Sequence, residues 1–293
     1  MMKKSFCRLL RLFPLPLLAA PLFFASCSSD DSMTPIDEVK TPQRPISVEV
    51  SETPFGNTTE ARQLTRAAIT DLTSFSAFTM MTANKDKLSV EKKNGSWVVD
   101  GSWPVGDNTP VTFYAYSNGD YYDNSGTPYI SFSMDEYASA QHDLLVAKNT
   151  VSYNDYQGKV PLTFDHACAA VAFNVQITNT LKTNLGSKLT VNSIVLRNVS
   201  NSGKYYFGTS TWGDVSGSAY YTLTSGITVD NTPQALSSNY LFVIPQSSEA
   251  TYLDVTYTFS GQKETSANIP LSVNWEAGKQ YTINIKLGTT LIQ

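Results

Sequence analysis

Short runs of β-favouring residues, separated by turn dipeptides, limit what this chain can fold into more than any other feature. Apolar and polar side chains alternate within the runs, so each run would place one set of side chains on a core. Turn signals such as Asn94-Gly95, Asn118-Gly119 and Ser125-Gly126 separate them. The runs are residues 72–78, 97–99, 111–116, 144–147, 170–177, 191–196, 240–244, 253–259 and 281–287.

The runs predict an all-β fold with two domains. No amphipathic helix of more than about 12 residues interrupts them, which favours antiparallel sandwiches over β-α-β units. A break near residues 156–158 divides the runs into two sets, and a chain of 293 residues is long for a single core. We therefore predict two tandem antiparallel β-sandwich domains, residues 67–158 and 159–293, with Val255, Tyr257 and Phe259 on a buried face together with Tyr281, Ile283, Ile285 and Leu287.

The first 26 residues have the pattern of a secretory signal. Four basic residues precede an apolar stretch, residues 12–24, and small residues follow it; the basic residues are Lys3, Lys4, Arg8 and Arg11. The alternative is a transmembrane anchor, but the stretch contains three prolines and is shorter than the roughly 20 residues that span a bilayer. We predict that residues 1–26 are a signal peptide.

Cys27 directly follows the small residues Ala25 and Ser26, and this arrangement resembles a bacterial lipobox. The thiol of such a cysteine takes a diacylglycerol, and the cysteine becomes the new N-terminal residue when the signal is removed. Of three cysteines, only Cys168 then remains in the body, so no intramolecular disulfide can form. Acyl chains such as palmitate contribute about 0.8 kcal/mol per buried methylene. We predict a lipoprotein anchored through Cys27.

Residues 27–66 read as a flexible linker with one candidate strand. Residues 28–31 (SSDD) resemble the acidic signal that sends some lipoproteins to the outer face of the outer membrane, and the following residues are too polar to fold alone. Within this linker Ile46, Val48 and Val50 alternate with polar residues, which predicts a strand. Without the leader, 17 basic residues face 25 acidic ones, a net charge of −8 that argues against nucleic acid as a partner.

Catalytic and cofactor motifs are missing from the sequence. His142 and His166 have no metal-ligand spacing, and the neighbouring acids Asp135 and Glu136 would point to opposite faces of a strand, so they cannot form a glycosidase pair. Cys168 lies among alanines and is expected to be a small core residue. We predict a non-enzymatic protein without metal or cofactor. Its 16 tyrosines keep glycan binding open as an alternative.

Several segments, in order along most of the chain, resemble fimbrillin-like proteins, the subunits of type V pili. They are residues 64–68 (LTRAA), 71–78 (DLTSFSAF), 103–104 leading to 111–116 (VTFYAY), 143–147 (DLLVA), 160–171 (VPLTFDHACAAV), 194–198 (IVLRN) with 203–205, and 275–285 (WEAGKQYTINI). The resemblance implies two transthyretin-like β-sandwiches and a surface-exposed outer membrane lipoprotein that becomes part of a fimbrium.

The resemblance also implies how the protein matures. An arginine-specific protease would cut between Arg66 and Ala67, with Arg62 as a second possible site, and would remove the lipid together with the strand of Ile46, Val48 and Val50. The opened sheet would then accept a strand from another fimbrial subunit, because unpaired backbone groups lie beside an apolar slot.

One feature departs from the family pattern. Only residues 288–293 follow the last predicted strand, which is short for a separate donor strand unless the strand from Tyr281 is itself the donor. Three roles therefore stay open: a stalk subunit, an accessory or tip adhesin, and a surface lipoprotein that binds glycans or host proteins without polymerising. A secreted hydrolase is a more distant alternative.

Overall fold

A computed structural model describes residues 44–57, 72–81, 87–104, 106–185, 189–259 and 265–288. Within these residues the fold is all-β, with twenty strands and two short helices. The strands are β1 Ser47–Glu52, β2 Gly56–Asn57, β3 Ser74–Thr79, β4 Leu88–Lys93, β5 Ser96–Val99, β6 Val111–Tyr116, β7 Asp120–Asn124, β8 Thr127–Ser133, β9 Leu145–Val151, β10 Lys159–His166, β11 Ala169–Ile177, β12 Leu189–Val199, β13 Ser202–Tyr206, β14 Thr211–Ser216, β15 Ala219–Val229, β16 Gln234–Ala235, β17 Leu241–Val243, β18 Gln246–Phe259, β19 Thr265–Trp275 and β20 Lys279–Leu287; the helices are α1 Tyr153–Tyr156 and α2 Asn179–Leu185.

A seven-stranded sheet in the order β1-β10-β9-β6-β3-β4-β5 wraps the first core. Its inward side chains form one apolar cluster, drawn from residues 46–164. An antiparallel bridge between Pro45 and Ser102 brings the start of β1 to the chain that leaves β5. The two ends of the sheet therefore approach each other around this cluster.

Three further sheets surround the second core. Their orders are β16-β11-β20-β2, with β17 also on β11, then β15-β12-β18-β19 and β14-β13-β8-β7. The larger apolar cluster combines residues 167–287 with side chains from earlier strands, such as Phe78 and Ile130. Val255 and Tyr257 are buried as predicted, as are Ile285 and Leu287. Phe259, Tyr281 and Ile283 are half-buried against the same cluster.

The prediction of purely antiparallel sheets is wrong at three places. β1 runs parallel to β10, β20 runs parallel to β11, and β2 runs parallel to β20. Parallel neighbours need a long connection, and none of these pairs is adjacent in sequence. The local alternation of apolar residues predicts strands and their buried faces, but it does not tell which distant strand will be the neighbour.

Tight turns occur where the sequence predicts them. Asn94 and Gly95 have φ of 51° and 82° between β4 and β5, and Ser125 and Gly126 have 53° and 88° between β7 and β8. Two consecutive residues with positive φ are characteristic of the type I′ hairpin turn, whose twist matches that of the flanking strands. The dipeptides therefore fix the register of both hairpins.

The described residues between 44 and 288 belong to one compact unit. β13 pairs with β8, which joins the two halves of the chain on either side of residue 158 in one sheet. Among the described residues no helix has both the length and the apolar character needed to cross a membrane.

Candidate functional site

The predicted strand in the N-terminal segment is present as β1, the edge strand of the seven-stranded sheet. It pairs with β10 in parallel register, so that Val48 lies opposite Val160 and Val50 opposite Leu162. Ile46 is buried, and Val48 and Val50 are partly buried against the same cluster. The segment thus fills an apolar groove beside β10 and pairs with its backbone.

The opposite face of β1 is exposed. The Glu49 carboxylate lies 2.7 Å from Lys159 Nζ, with more than half of each side chain exposed. Ser51 and Thr163 share a hydrogen bond of 2.9 Å between their hydroxyls. Exposed ion pairs contribute at most about 1 kcal/mol, so the inward side chains and the backbone pairing account for most of the stability of β1 in its groove.

Backbone hydrogen bonds and one glycine hold the beginning of the segment. Trp103 N donates to the carbonyl oxygen of Arg44 at 2.7 Å, and Ser47 N donates to that of Gly158 at 3.0 Å. Gly158 has φ of +78°, and a Cβ there would lie 2.9 Å from the Pro45 carbonyl oxygen. A glycine is therefore required for the segment to approach this closely.

A buried cluster of ionisable side chains lies at the far end of the groove. Glu52 continues the inward row of β1, and His166 continues the inward row of β10. His166 Nε2 lies 3.0 Å from Glu52 Oε1, and His166 Nδ1 lies 2.5 Å from Asp143 Oδ2. The other Asp143 oxygen accepts the Cys168 amide at 3.2 Å. Each imidazole nitrogen of His166 therefore lies within hydrogen-bond distance of one carboxylate oxygen.

Phe55 closes this cluster. Its ring stacks on the His166 imidazole with centroids 3.5 Å apart and lies 6.4 Å from the ring of Phe242. It packs on a small apolar cluster formed by Ala170, Ala172 and Tyr240. The next residue begins β2, whose pairing with β20 carries the segment into a second sheet.

Burial controls the acid-base properties of the cluster. It raises the pKa of Asp143, although the hydrogen bond from His166 acts in the opposite direction. Burial, together with the nearby Asp143 charge, raises the pKa of the Cys168 thiol well above its ordinary value. Cys168 is a core residue, as predicted, and the cluster provides no activated thiolate.

The structure brings together only part of the predicted site. Ile46, Val48 and Val50 form one row, whereas Cys27, Arg66 and Ala67 lie outside the described residues. Sequence reasoning missed Glu52, Phe55, Asp143 and the role of His166. A signal existed for two of them, because Glu52 and His166 each occupy an inward position in an alternating strand, where a charged side chain needs a partner.

Other polar features of the described residues offer little chemistry. His142 is exposed beside an open cavity of about 330 Å³ that also contains Asp120 and Asp135. Asp135 and Glu136 are exposed and lie in the loop after β8 rather than on a strand. No group of three or more His, Cys, Asp or Glu side chains in the described part of the chain could hold a metal ion.

One known family matches most of the chain. A sequence profile described as fimbrillin-like matches residues 56–293. No curated protein matches the chain.

Solved structures match the fold at low sequence identity. A fimbrial protein from Bacteroides vulgatus is 17% identical with a TM-score of 0.56, covering 83% of this chain and 95% of its own. A protein described as a cell adhesion protein from Bacteroides ovatus is 15% identical with a TM-score of 0.55, covering 83% of this chain and 92% of its own. One from Parabacteroides distasonis, described in the same way, is 11% identical with a TM-score of 0.52, covering 84% and 89%.

Proposed function

Because the chain belongs to the fimbrillin-like family, we propose that it is a subunit or accessory adhesin of cell-surface fimbriae. In this proposal it is exported as a lipoprotein and matures by cleavage between Arg66 and Ala67. Removal of the N-terminal segment then allows a strand from another fimbrial subunit to take its place. Its partners are that subunit, an arginine-specific protease and, through the lipid, the outer membrane.

The observation that supports this proposal is the path of residues 44–57. This segment precedes the proposed cleavage site in sequence and supplies a strand to each of two sheets, β1 beside β10 and β2 beside β20. Its loss would uncover the apolar groove of the first core and the pocket around Phe55 together. An open groove with unpaired backbone groups is a binding site for an extended strand.

Limited proteolysis tests the proposal. The chain is digested with an arginine-specific protease and followed by mass spectrometry and sizing, with Arg66→Ala as the test variant and Arg62→Ala as its matched control. We expect one cut after Arg66, loss of the segment and formation of multimers when a subunit with a free donor strand is present. Cleavage that yields only stable monomers in such mixtures would contradict assembly by strand exchange.

The position of β20 favours an accessory role over a repeating stalk subunit. β20 lies between β11 and β2, pairs with β11 over eight positions and buries Leu287 completely. To serve as a donor strand, it would have to leave the second core. The strand from Tyr281 is therefore a poor donor, and the chain is better suited to accept a strand than to donate this one.

A row of tyrosines supports the alternative, a surface lipoprotein that binds glycans or host proteins without polymerising. Tyr122, Tyr129 and Tyr206 lie side by side across β7, β8 and β13, with ring centroids 5.3 and 5.6 Å apart. Tyr122 is half exposed, and tyrosine rings combine an apolar face with a polar end. Glycan-array binding by the uncut protein that is lost in Tyr122→Ala would favour this role.

Lipid attachment at Cys27 and the division into two sandwich domains also remain proposals. Metabolic labelling with palmitate, lost in Cys27→Ser, tests the anchor. The separate cluster of residues 46–164 supports an N-terminal domain, whereas the pairing of β13 with β8 links it to the remaining chain. Separate expression of residues 67–158 and 159–293 would show whether either folds alone.

A further inference from the structure

We propose that the groove recognises its occupant by two side chains, a carboxylate at the end of the strand and an aromatic ring three residues further along the chain. In this chain they are Glu52 and Phe55. The inference rests on the proposed strand exchange where it concerns a second subunit, since a strand that replaces residues 44–57 would then need the same pair.

The carboxylate is needed because the body of the protein supplies only half of the acceptors for His166. Asp143 binds Nδ1 and is itself held by the Cys168 amide, so it stays in place when the segment leaves. Glu52 is the partner of Nε2, and only 3% of the His166 side chain is exposed. Without an acceptor from the occupant, a buried nitrogen would lose its carboxylate in a site with little access to water.

The aromatic ring is needed because it covers one face of the imidazole and fills the pocket beside it. Phe55 covers the flat face of His166 at 3.5 Å and fills the space beside Ala170 and Ala172. The alanines are short, so the pocket is deep enough for a ring. A smaller side chain would leave a void on one side and expose the imidazole face on the other.

Backbone hydrogen bonds from the residue directly after each member of the pair fix its spacing. Thr53 N donates to the Phe164 carbonyl oxygen at 2.8 Å, and Gly56 N donates to the Gly278 carbonyl oxygen at 2.8 Å. A slip by one residue would turn the carboxylate to the outer face of the sheet. Binding in the groove therefore depends on both side chains and on the number of residues between them.

The chemistry of the pair limits which strand can replace the segment. Residues 279–293 contain no aspartate or glutamate, so neither β20 nor residues 288–293 offer a side-chain carboxylate. The expected occupant is a strand of a different subunit that carries an acidic residue and, three positions later, an aromatic residue.

Two variants with equal loss of charge test the carboxylate in the uncut, full-length chain in detergent. Glu52→Gln removes the buried charge, and Glu49→Gln removes the exposed one on the same strand. Hydrogen exchange of the β1 amides should become about tenfold faster in Glu52→Gln, since a charge-assisted hydrogen bond is lost, and should change less than about twofold in Glu49→Gln. Equal exchange rates in the two variants would overturn the proposal.

Peptides then test the pair as a recognition signal. The full-length chain is cut after Arg66, freed of its N-terminal fragment and titrated with a fluorescent peptide of residues 44–57. We expect Glu52→Gln and Phe55→Ala peptides to bind at least about tenfold more weakly, while Glu49→Gln and Thr53→Ala peptides bind within about threefold of the original. Similar affinities for all five would overturn the proposal.

The two measurements separate this inference from strand exchange. If the uncut chain responds to Glu52→Gln but the cut chain takes up no peptide, recognition of the chain's own segment is supported and exchange with a second subunit fails. If the cut chain takes up all peptides equally, exchange stands and the two-residue signal is wrong.

Discussion

At the scale of single residues, Phe78 is one of the side chains that connect the two halves of the chain. It is fully buried, with its ring centroid 4.2 Å from that of Tyr121 and 5.4 Å from that of Phe207. Phe78→Ala should lower the free energy of unfolding by about 3–5 kcal/mol, because a cavity opens among aromatic rings. Urea unfolding measures the change, and Val98→Ala, at a position 45% exposed, is a control expected within about 0.5 kcal/mol of the parent.

Cys168 should be unreactive in the folded protein. Burial raises the pKa of its thiol, and the Asp143 charge raises it further, so the thiol stays protonated at pH 8. Iodoacetamide should therefore label the Cys168 peptide more than about tenfold more slowly in the native chain than in urea, as followed by mass spectrometry. Equal rates in both conditions would mean that the thiol is accessible and ionised, contrary to the structure.

At the scale of elements, the approach of β1 to the turn before β10 depends on Gly158. Gly158 and Gly95 have similar positive φ values, +78° and +82°, but only Gly158 has neighbours near the position of a Cβ. Gly95→Ala should cost about 1 kcal/mol of stability, for the backbone conformation alone. Gly158→Ala should cost about 2–4 kcal/mol, since the methyl group also contacts Pro45 and Tyr153.

Hydrogen exchange shows where the additional cost of Gly158→Ala arises. The Ser47 amide, which donates to the Gly158 carbonyl oxygen, should exchange faster in this variant than in Gly95→Ala. If both variants lose the same stability and leave the Ser47 amide unchanged, β1 does not depend on the close approach.

The elements also show how far the sequence alone leads. Strands with strong alternation or β-branched residues, such as β6, β11 and β20, are predictable because their signal is local. The same local alternation is present in β10, at Val160, Leu162 and Phe164, although this strand is not among the predicted runs. The partners Glu52 and His166 lie 114 residues apart, and no local pattern gives their contact. The three parallel strand pairs cannot be predicted from local sequence either, because their members are far apart along the chain.

At the scale of the whole molecule, residues 44–57 connect the seven-stranded sheet to the sheet that contains β20. The segment pairs with the seven-stranded sheet through β1 and with the second core through β2, while Phe55 and Glu52 fill the space between these two pairings. The pairing of β13 with β8 and the burial of Phe78 and Ile130 in the second core also join the two halves of the chain. Part of the stability of the whole unit should nevertheless depend on a segment that proteolysis is proposed to remove.

Removal of the segment should lower the melting temperature of the protein even though the rest of the chain is intact. Burial of Ile46 alone contributes about 1.5–3 kcal/mol, and the half-buried Val48, Val50 and Phe55 add to it. Since 1 kcal/mol corresponds to about 2–4 °C for a protein of this size, the cut and depleted chain should melt roughly 10 °C lower. Scanning calorimetry of cut chains before and after removal of the fragment isolates this effect from cleavage itself.

The same calorimetric experiment also tests whether an occupant replaces the segment by mass action. Addition of the peptide of residues 44–57 at 100 times its dissociation constant should raise the free energy of unfolding by about 2.7 kcal/mol, which is a large part of the stability lost with the segment. A peptide with Ile46, Val48 and Val50 changed to serine has no apolar row and should restore little, because the groove beside β10 would stay unfilled. An unchanged melting temperature of the depleted chain would mean that the segment does not stabilise the two cores. Filling the groove would then yield no gain in stability, and binding of a strand from another subunit would not be favoured.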